Sequence, residues 1–176
     1  MLFREIRLAG AFLIEVEPIA DKRGFFARSY CEREFAGHGL ETRFPQHSIS
    51  YNARKGTVRG MHFVRAPHAE IKLVRCIAGA IYDVIVDLRD GSPTRGQWEG
   101  VELSAQNRRQ LYIPKGFAHG FQALSDDAEV AYMISEFHDP ATAAGFRYDD
   151  PALAIRWPLP VSVIADRDLT WPAFPG

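Results

Sequence analysis

The residues best suited to chemistry in this chain lie in two short segments and at one isolated tyrosine. Residues 59–63 read Arg-Gly-Met-His-Phe, and His62 in this segment can take a proton that Tyr132 can return. A base and an acid of this kind are what inversion of a carbon next to a carbonyl needs. The second segment, residues 113–121, places His119 in a glycine-flanked turn where backbone can approach closely, for a ligand or for a tight corner.

These residues must be positioned by an all-β fold. Short apolar runs recur between turn signals, and long stretches with the helical period of 3.6 are nearly absent, which predicts many short strands. One short helix is expected at residues 31–37. The predicted strands cover residues 12–18, 48–52, 56–64, 72–78, 80–88, 97–103, 110–113, 120–124 and 128–136. This pattern predicts two sheets packed face to face, or a barrel of the jelly-roll type.

The strand at residues 80–88 is the clearest of these. Both of its faces are largely apolar, which predicts a central strand. Residues 72–78 precede it, and Gly79 marks a tight connection, so we predict that the two segments form an antiparallel hairpin.

The strand period also orients the candidate residues. Within residues 56–64, Arg59 should point away from the face that carries His62 unless Gly60 marks a bulge, and we predict such a bulge. Tyr132 lies on a mostly apolar face, where its hydroxyl needs a partner. By spacing alone, Tyr132 is better explained as a packed core residue with one satisfied hydroxyl, and Lys72 as a solvated lysine at a strand end.

Bulk composition limits the classes of function. The 176 residues fit one domain, residues 1–176, and the net charge of −1 argues against binding to nucleic acid or to an anionic membrane through bulk charge. Cys31 and Cys76 lack disulfide or metal-finger spacing, which favours a reducing compartment. Residues 1–7 lack the apolar run of a signal peptide, and no segment approaches a membrane span. We therefore expect a cytoplasmic protein.

A metal site is the main alternative for the histidines. His62, His68, Glu70 and His119 are donors of the kind that form mononuclear sites in double-stranded β-helix proteins. The dense His-x-His core of such sites is missing, so we expect no catalytic metal. A metal-dependent cupin oxygenase stays open as an alternative.

The chain resembles the dTDP-4-dehydrorhamnose 3,5-epimerases and their nucleotide-sugar epimerase relatives. Ordered blocks carry the resemblance along nearly the whole chain; they include Asp21-Lys22-Arg23-Gly24-Phe25-Phe26, Arg59-Gly60-Met61-His62, Lys72-Leu73-Val74-Arg75, Val86-Asp87-Leu88-Arg89, Pro114-Lys115-Gly116-Phe117-Ala118-His119 and Ile155-Arg156-Trp157-Pro158. The resemblance implies a cupin-type double-stranded β-helix with short peripheral helices, and a homodimer. It also implies epimerisation of a 4-keto-6-deoxy nucleotide sugar at C3 and C5, without a metal or organic cofactor.

The same resemblance implies roles for individual residues. His62 would be the base, Tyr132 the acid, Asp168 the carboxylate that orients His62, and Lys72 a cation that stabilises the enolate oxygen. The residues implied in substrate binding are Arg23, Phe26, Arg28, Gln46, Ser48, Arg59, His119, His138 and Arg167. Arg23 and Phe26 would complete the site of the partner in the dimer.

Departures from the family pattern leave specificity open. Arg28 and Ala143 stand where better-known relatives carry Glu, and His138 stands where they carry Tyr. Inversion at C3 alone, or another nucleotide, is therefore an alternative. A ketoisomerase of the same fold is a further one, although a dedicated acid such as Tyr132 is most useful for inversion. A non-catalytic sugar-binding module is the last, and the presence of base, acid, carboxylate and lysine together argues against it.

Overall fold

The two large sheets of the protein face each other across one core. A computed structural model describes residues 1–174, and these residues form two six-stranded sheets, a two-stranded hairpin and two short helices. The strands are β1 (Leu2–Glu5), β2 (Phe12–Glu15), β3 (Ile19–Asp21), β4 (Gly24–Phe26), β5 (Gln46–Asn52), β6 (Thr57–Val64), β7 (Lys72–Ala78), β8 (Ala80–Asp87), β9 (Trp98–Ser104), β10 (Gln110–Ile113), β11 (Phe117–Ala123), β12 (Ala128–Ile134), β13 (Ala143–Gly145) and β14 (Val163–Ile164). The helices are α1 (Glu32–Gly37) and α2 (Asp166–Leu169).

The order of strands is that of a jelly roll. The first sheet runs β1-β2-β10-β7-β12-β5, and the second runs β13-β6-β11-β8-β9, with β14 pairing in parallel with β6. Alternating apolar side chains from both sheets meet between them, among them Val74 and Val130 from the first and Ile85 and Phe121 from the second. The predicted all-β, cupin-type fold with short peripheral helices is confirmed.

The predicted hairpin between residues 72–78 and 80–88 is wrong. β7 lies between β10 and β12 in the first sheet, whereas β8 lies between β11 and β9 in the second. Gly79 alone connects them, and one residue is too short for the two-residue loop of a hairpin. The chain instead crosses from one sheet to the other at Gly79, which has a φ of +69°.

The outer face of the second sheet is covered by the C-terminal part of the chain. Phe146 and Leu153 pack against Val84 and Val86 of β8, so both faces of this strand are buried and its predicted central position is confirmed. The covering segment ends in α2, which lies against β6 and thereby brings Asp168 to the segment that carries His62.

Within residues 1–174, neither helix has the length and hydrophobicity that crossing a membrane requires.

Candidate active site

A bulge in β6 turns two of the predicted site residues, Arg59 and His62, to the same side. In the pairing with β11, His62 lies opposite His119 and Arg59 lies opposite Phe121, with a shift of register between the two pairs. The bulge predicted at Gly60 is therefore confirmed. Gly60 has a φ of +134°, and a Cβ atom there would lie 2.6 Å from the Cα atom of Gly120, so the close contact of the two strands requires glycine.

His62 is held by a buried carboxylate. Its Nε2 atom lies 2.6 Å from Oδ1 of Asp168, which also accepts the indole N–H of Trp171 at 3.1 Å. The second oxygen of Asp168 accepts the backbone N–H of Gly60 at 3.1 Å. Burial raises the pKa of Asp168, but these hydrogen bonds outweigh it and hold the pKa below its ordinary value.

This environment fixes which nitrogen of His62 can act as a base. Because Asp168 is ionised at neutral pH, it can only accept, so Nε2 of His62 carries the proton and Nδ1 carries the free electron pair. The side chain of His62 is 42% exposed. A proton taken at Nδ1 can therefore be released to water.

Tyr132 comes from the facing sheet. Its hydroxyl lies 3.0 Å from Oγ of Ser50 on the neighbouring strand β5, and its ring packs against the core between the sheets. Burial raises the pKa of Tyr132, and the hydrogen bond from Ser50 offsets only part of this effect. Tyr132 is therefore protonated at neutral pH, as an acid must be.

A second histidine–carboxylate pair lies between these two residues. Nε2 of His119 is 2.7 Å from Oδ1 of Asp83, and both side chains are buried. The rings of His119 and Tyr132 are 6.4 Å apart, and Oδ2 of Asp83 is buried without a hydrogen-bond partner among the described residues. A buried carboxylate needs a partner, and His119 supplies it for one oxygen only.

Lys72 faces the interior at the end of β7. Its Nζ atom lies 2.9 Å from Oε1 of Glu70, and the two side chains are only 16% and 14% exposed. The crevice that they line also includes Phe63, Ile113, Phe117 and His119. The interpretation of Lys72 as a solvated strand-end lysine, made from spacing alone, is therefore wrong.

Polar side chains of β5 and β6 extend the site along one seam. Arg59 donates from Nε to Oδ1 of Asn52 at 2.8 Å and from Nη2 to the carbonyl of Tyr51 at 3.0 Å, which bridges the two sheets. Gln46 accepts the backbone N–H of His138 at 2.6 Å.

Two further predicted residues lie next to Tyr132 and to the His62–Asp168 pair. Ser48 is the cross-strand neighbour of Tyr132. The guanidinium of Arg167 stacks on the ring of Trp171 at 4.7 Å, close to Asp168.

Three predicted binding residues do not join this cluster within one chain. Arg23 lies at the tip of the β3–β4 hairpin and pairs with Asp21, and its side chain is exposed. Phe26 is 73% exposed, and it lines a separate groove together with Arg28, which pairs with Glu34.

The residues considered as metal ligands are not gathered around one point. In the part of the chain that the structure describes, no group of three or more His, Cys, Asp and Glu side chains is placed to hold an ion. His62 and His119 each direct Nε2 at a carboxylate, and Glu70 pairs with Lys72.

Sequence reasoning missed Ser50 and the partners of two charged residues. Ser50 lies two residues after Ser48 and so on the same face of β5, a signal that strand periodicity contains. The pairings of Glu70 with Lys72 and of Asp83 with His119 require the register of the sheets, which the sequence does not supply.

A jelly roll with a carboxylate-held histidine on one sheet and a protonated phenol on the other supplies the groups that an acid–base isomerase of cupin fold requires. Comparisons with known proteins agree. The family model described as dTDP-4-dehydrorhamnose 3,5-epimerase matches residues 5–175. The chain belongs to this family.

Three similar proteins illustrate the match. The dTDP-4-dehydrorhamnose 3,5-epimerase of Methanothermobacter thermautotrophicus is 45% identical over 172 residues, 96% of this chain and 92% of the relative. The dTDP-4-dehydrorhamnose 3-epimerase of Streptomyces niveus is 43% identical over 169 residues, 96% and 81% of the two chains. The crystal structure of the Bacillus anthracis dTDP-4-dehydrorhamnose 3,5-epimerase with TDP and pyrophosphate has a TM-score of 0.95 at 42% identity. The match covers 98% of this chain and 99% of that one.

Proposed function

We propose that this protein epimerises a 4-keto-6-deoxy sugar carried on a nucleoside diphosphate, such as dTDP-4-dehydro-6-deoxy-D-glucose, in deoxysugar biosynthesis of the rhamnose type. One observation carries the proposal: His62, held by Asp168, and the protonated phenol of Tyr132 come from facing sheets of one barrel. Base and acid are thus available on opposite faces of a flat intermediate. The family membership supports the same conclusion.

The reaction follows from the acidity of the carbons next to the keto group. Nδ1 of His62 removes the proton from such a carbon, and the electrons move onto the keto oxygen to give an enolate. The ammonium group of Lys72 stabilises that negative oxygen in a site with little water. Tyr132 then delivers its proton to the opposite face, and the carbon is inverted.

Local cations are required to bind the diphosphate, because the net charge of the chain is only −1. Arg59 uses Nε and one Nη2 hydrogen in its bonds to Asn52 and Tyr51, so further N–H donors remain for phosphate oxygens. We propose that Arg59 binds the diphosphate. Arg167, which lies beside Asp168 on the other side of His62, would be a second cation for the substrate. His119, Gln46, Ser48 and His138 would contact the sugar and the nucleoside.

We further propose that the protein acts as a homodimer of single-domain chains. The β3–β4 hairpin exposes Ile19, Phe25 and Phe26 by 73%, 47% and 73%, an apolar surface that suits contact with a second copy. Arg23 at its tip would then reach the diphosphate in the partner's site. Full activity of a monomer in sedimentation experiments at assay concentration would contradict this proposal.

Inversion at C3 alone is the second candidate. One relative is named a 3-epimerase, and Arg28, His138 and Ala143 depart from the pattern of the 3,5-epimerases.

The free cysteines Cys31 and Cys76 support a reducing, cytoplasmic location.

Proton NMR of the substrate in deuterated water tests the proposal. Loss of the C3 and C5 proton signals indicates a 3,5-epimerase, and loss at C3 alone indicates a 3-epimerase. The variant His62→Ala should abolish exchange, whereas Tyr132→Phe should impair inversion and leave part of the exchange. His38→Ala and Tyr148→Phe are matched controls. Full activity of either active-site variant would remove the mechanistic basis, and no exchange by the native protein with any nucleotide sugar would reject the function.

A further inference from the structure

The acid of this site has to recover its proton after every inversion. Once Tyr132 has delivered a proton to carbon, a phenolate remains on β12, partly buried against the core between the sheets. His62 can exchange its proton with water directly because its side chain is 42% exposed. The Tyr132 hydroxyl instead faces Ser50, and a phenolate that packs against an apolar core is disfavoured unless a donor meets it.

Ser50 is the neighbour that can meet this need. Its Oγ atom lies 3.0 Å from the Tyr132 hydroxyl, and either group can be the donor. β5 is the edge strand of the first sheet, and Ser50 is only partly buried there between the exposed residues Ile49 and Tyr51. The serine hydroxyl therefore connects the interior phenol to an open edge of the barrel.

The other polar groups nearby are less suited to this role. His119 is the closest described ring, at 6.4 Å between centroids, but its Nε2 atom is committed to Asp83. Within residues 1–174, no hydrogen bond joins this pair to the Tyr132 hydroxyl.

We propose that Ser50 returns the proton to Tyr132 between inversions. This inference rests on the proposed epimerase function. The serine O–H donates to the phenolate as the C–H bond forms, then passes its proton to the phenolate oxygen and takes another from water at the β5 edge. The proton that His62 removed is released to water, so no net charge accumulates over a cycle. Ser50 acts through Tyr132 and is a positioning and relay residue.

The relay predicts a split between two rates that a structural role would not produce. Removal of the sugar proton by His62 does not involve Ser50, whereas delivery by Tyr132 does. In Ser50→Ala, exchange without inversion should fall by less than about twofold. Inversion should fall by about tenfold or more, the effect expected from losing one hydrogen bond to a charged group.

The experiment measures both rates in deuterated water for the native protein, Ser50→Ala, Ser50→Thr and Ile49→Ala. Proton NMR follows exchange, and the chemical shifts of the protons that the product retains follow inversion. Ser50→Thr keeps the hydroxyl and should restore the native ratio. Ile49→Ala changes the outward face of the same strand and should keep that ratio.

The possible outcomes separate this inference from the function on which it rests. A native ratio in Ser50→Ala overturns the relay, and so does an equal loss in Ser50→Thr and Ser50→Ala. If Ser50→Ala does not fold, Ser50→Thr decides the question. A native ratio of inversion to exchange in this variant supports the relay, and a ratio at least tenfold lower overturns it. Absence of exchange by the native protein rejects the epimerase function instead.

Discussion

Replacing Asp168 by Asn tests whether the buried carboxylate makes His62 a base. The change keeps the shape of the side chain but converts one acceptor oxygen into a donor. Asp168 receives three donors, from His62, Gly60 and Trp171, and the two oxygens accept all of them. An amide leaves at least one donor facing another donor, or turns towards His62 and forces the proton onto Nδ1.

The size of the effect can be worked from the geometry. When His62 takes a proton, its charge faces that of Asp168 across a contact of 2.6 Å. Two unit charges with centres about 4 Å apart attract by about 4 kcal/mol at an effective dielectric constant of 20. The 42% exposure of His62 weakens this attraction through water. A loss of about 2 to 3 kcal/mol remains, which slows proton removal about 30- to 150-fold.

The assay is the initial rate of deuterium incorporation at the carbons next to the keto group, measured from neutral to mildly alkaline pD. Asp166→Asn is the matched control, because Asp166 lies exposed in the same helix. It should keep the native rate. A folded Asp168→Asn variant that exchanges within about threefold of the native rate would refute the reasoning.

Three further predictions follow from other contacts. Lys72→Met should lower kcat about 100-fold with less than a threefold change in KM, since Lys72 stabilises charge that develops during reaction; Lys115→Met is the control, and an effect on KM alone would contradict it. Gly60→Ala should lower stability by about 3 kcal/mol in urea unfolding because its Cβ meets Gly120 at 2.6 Å; Gly37→Ala, with open space around it, should change little. In Asp87, burial raises the pKa but hydrogen bonds from Arg89, Ser92 and Thr94 outweigh it and lower the pKa overall. Asp87→Asn should therefore lower the free energy of unfolding by about 2 kcal/mol at pH 7. The difference between variant and native protein should shrink as the pH falls below about 4, because the native carboxylate loses its advantage there. Equal differences at pH 7 and pH 3 would disprove the assignment.

Strand periodicity predicted the elements that carry the site more accurately than it predicted their partners. Residues 72–78 and 110–113 form strands with the expected bounds, and β5 begins at Gln46, two residues before the predicted start. The bulge at Gly60 was also predicted, because a glycine inside an otherwise regular strand weakens the ladder unless it has a local purpose.

Pairing between distant segments lay beyond the sequence pattern. The pattern around Gly79 predicts a hairpin and not the observed crossover, because local signals describe a turn but not the sheet that each strand joins. The short strands β1, β3, β4, β13 and β14 were not predicted, since two to four residues carry too little alternation. The role of Asp168 came from the family resemblance alone, as its partner lies 106 residues earlier.

The long separation between His62 and Asp168 has a consequence for the order in which the molecule becomes competent. During synthesis, Tyr132, Ser50 and Lys72 all leave the ribosome before α2, so the first sheet, which carries all three residues, can form first. His62 gains its carboxylate only when α2 docks on β6. A nascent chain in which α2 has not docked would hold Tyr132 in place without an oriented His62, so docking of α2 would be the step that completes the proposed active site.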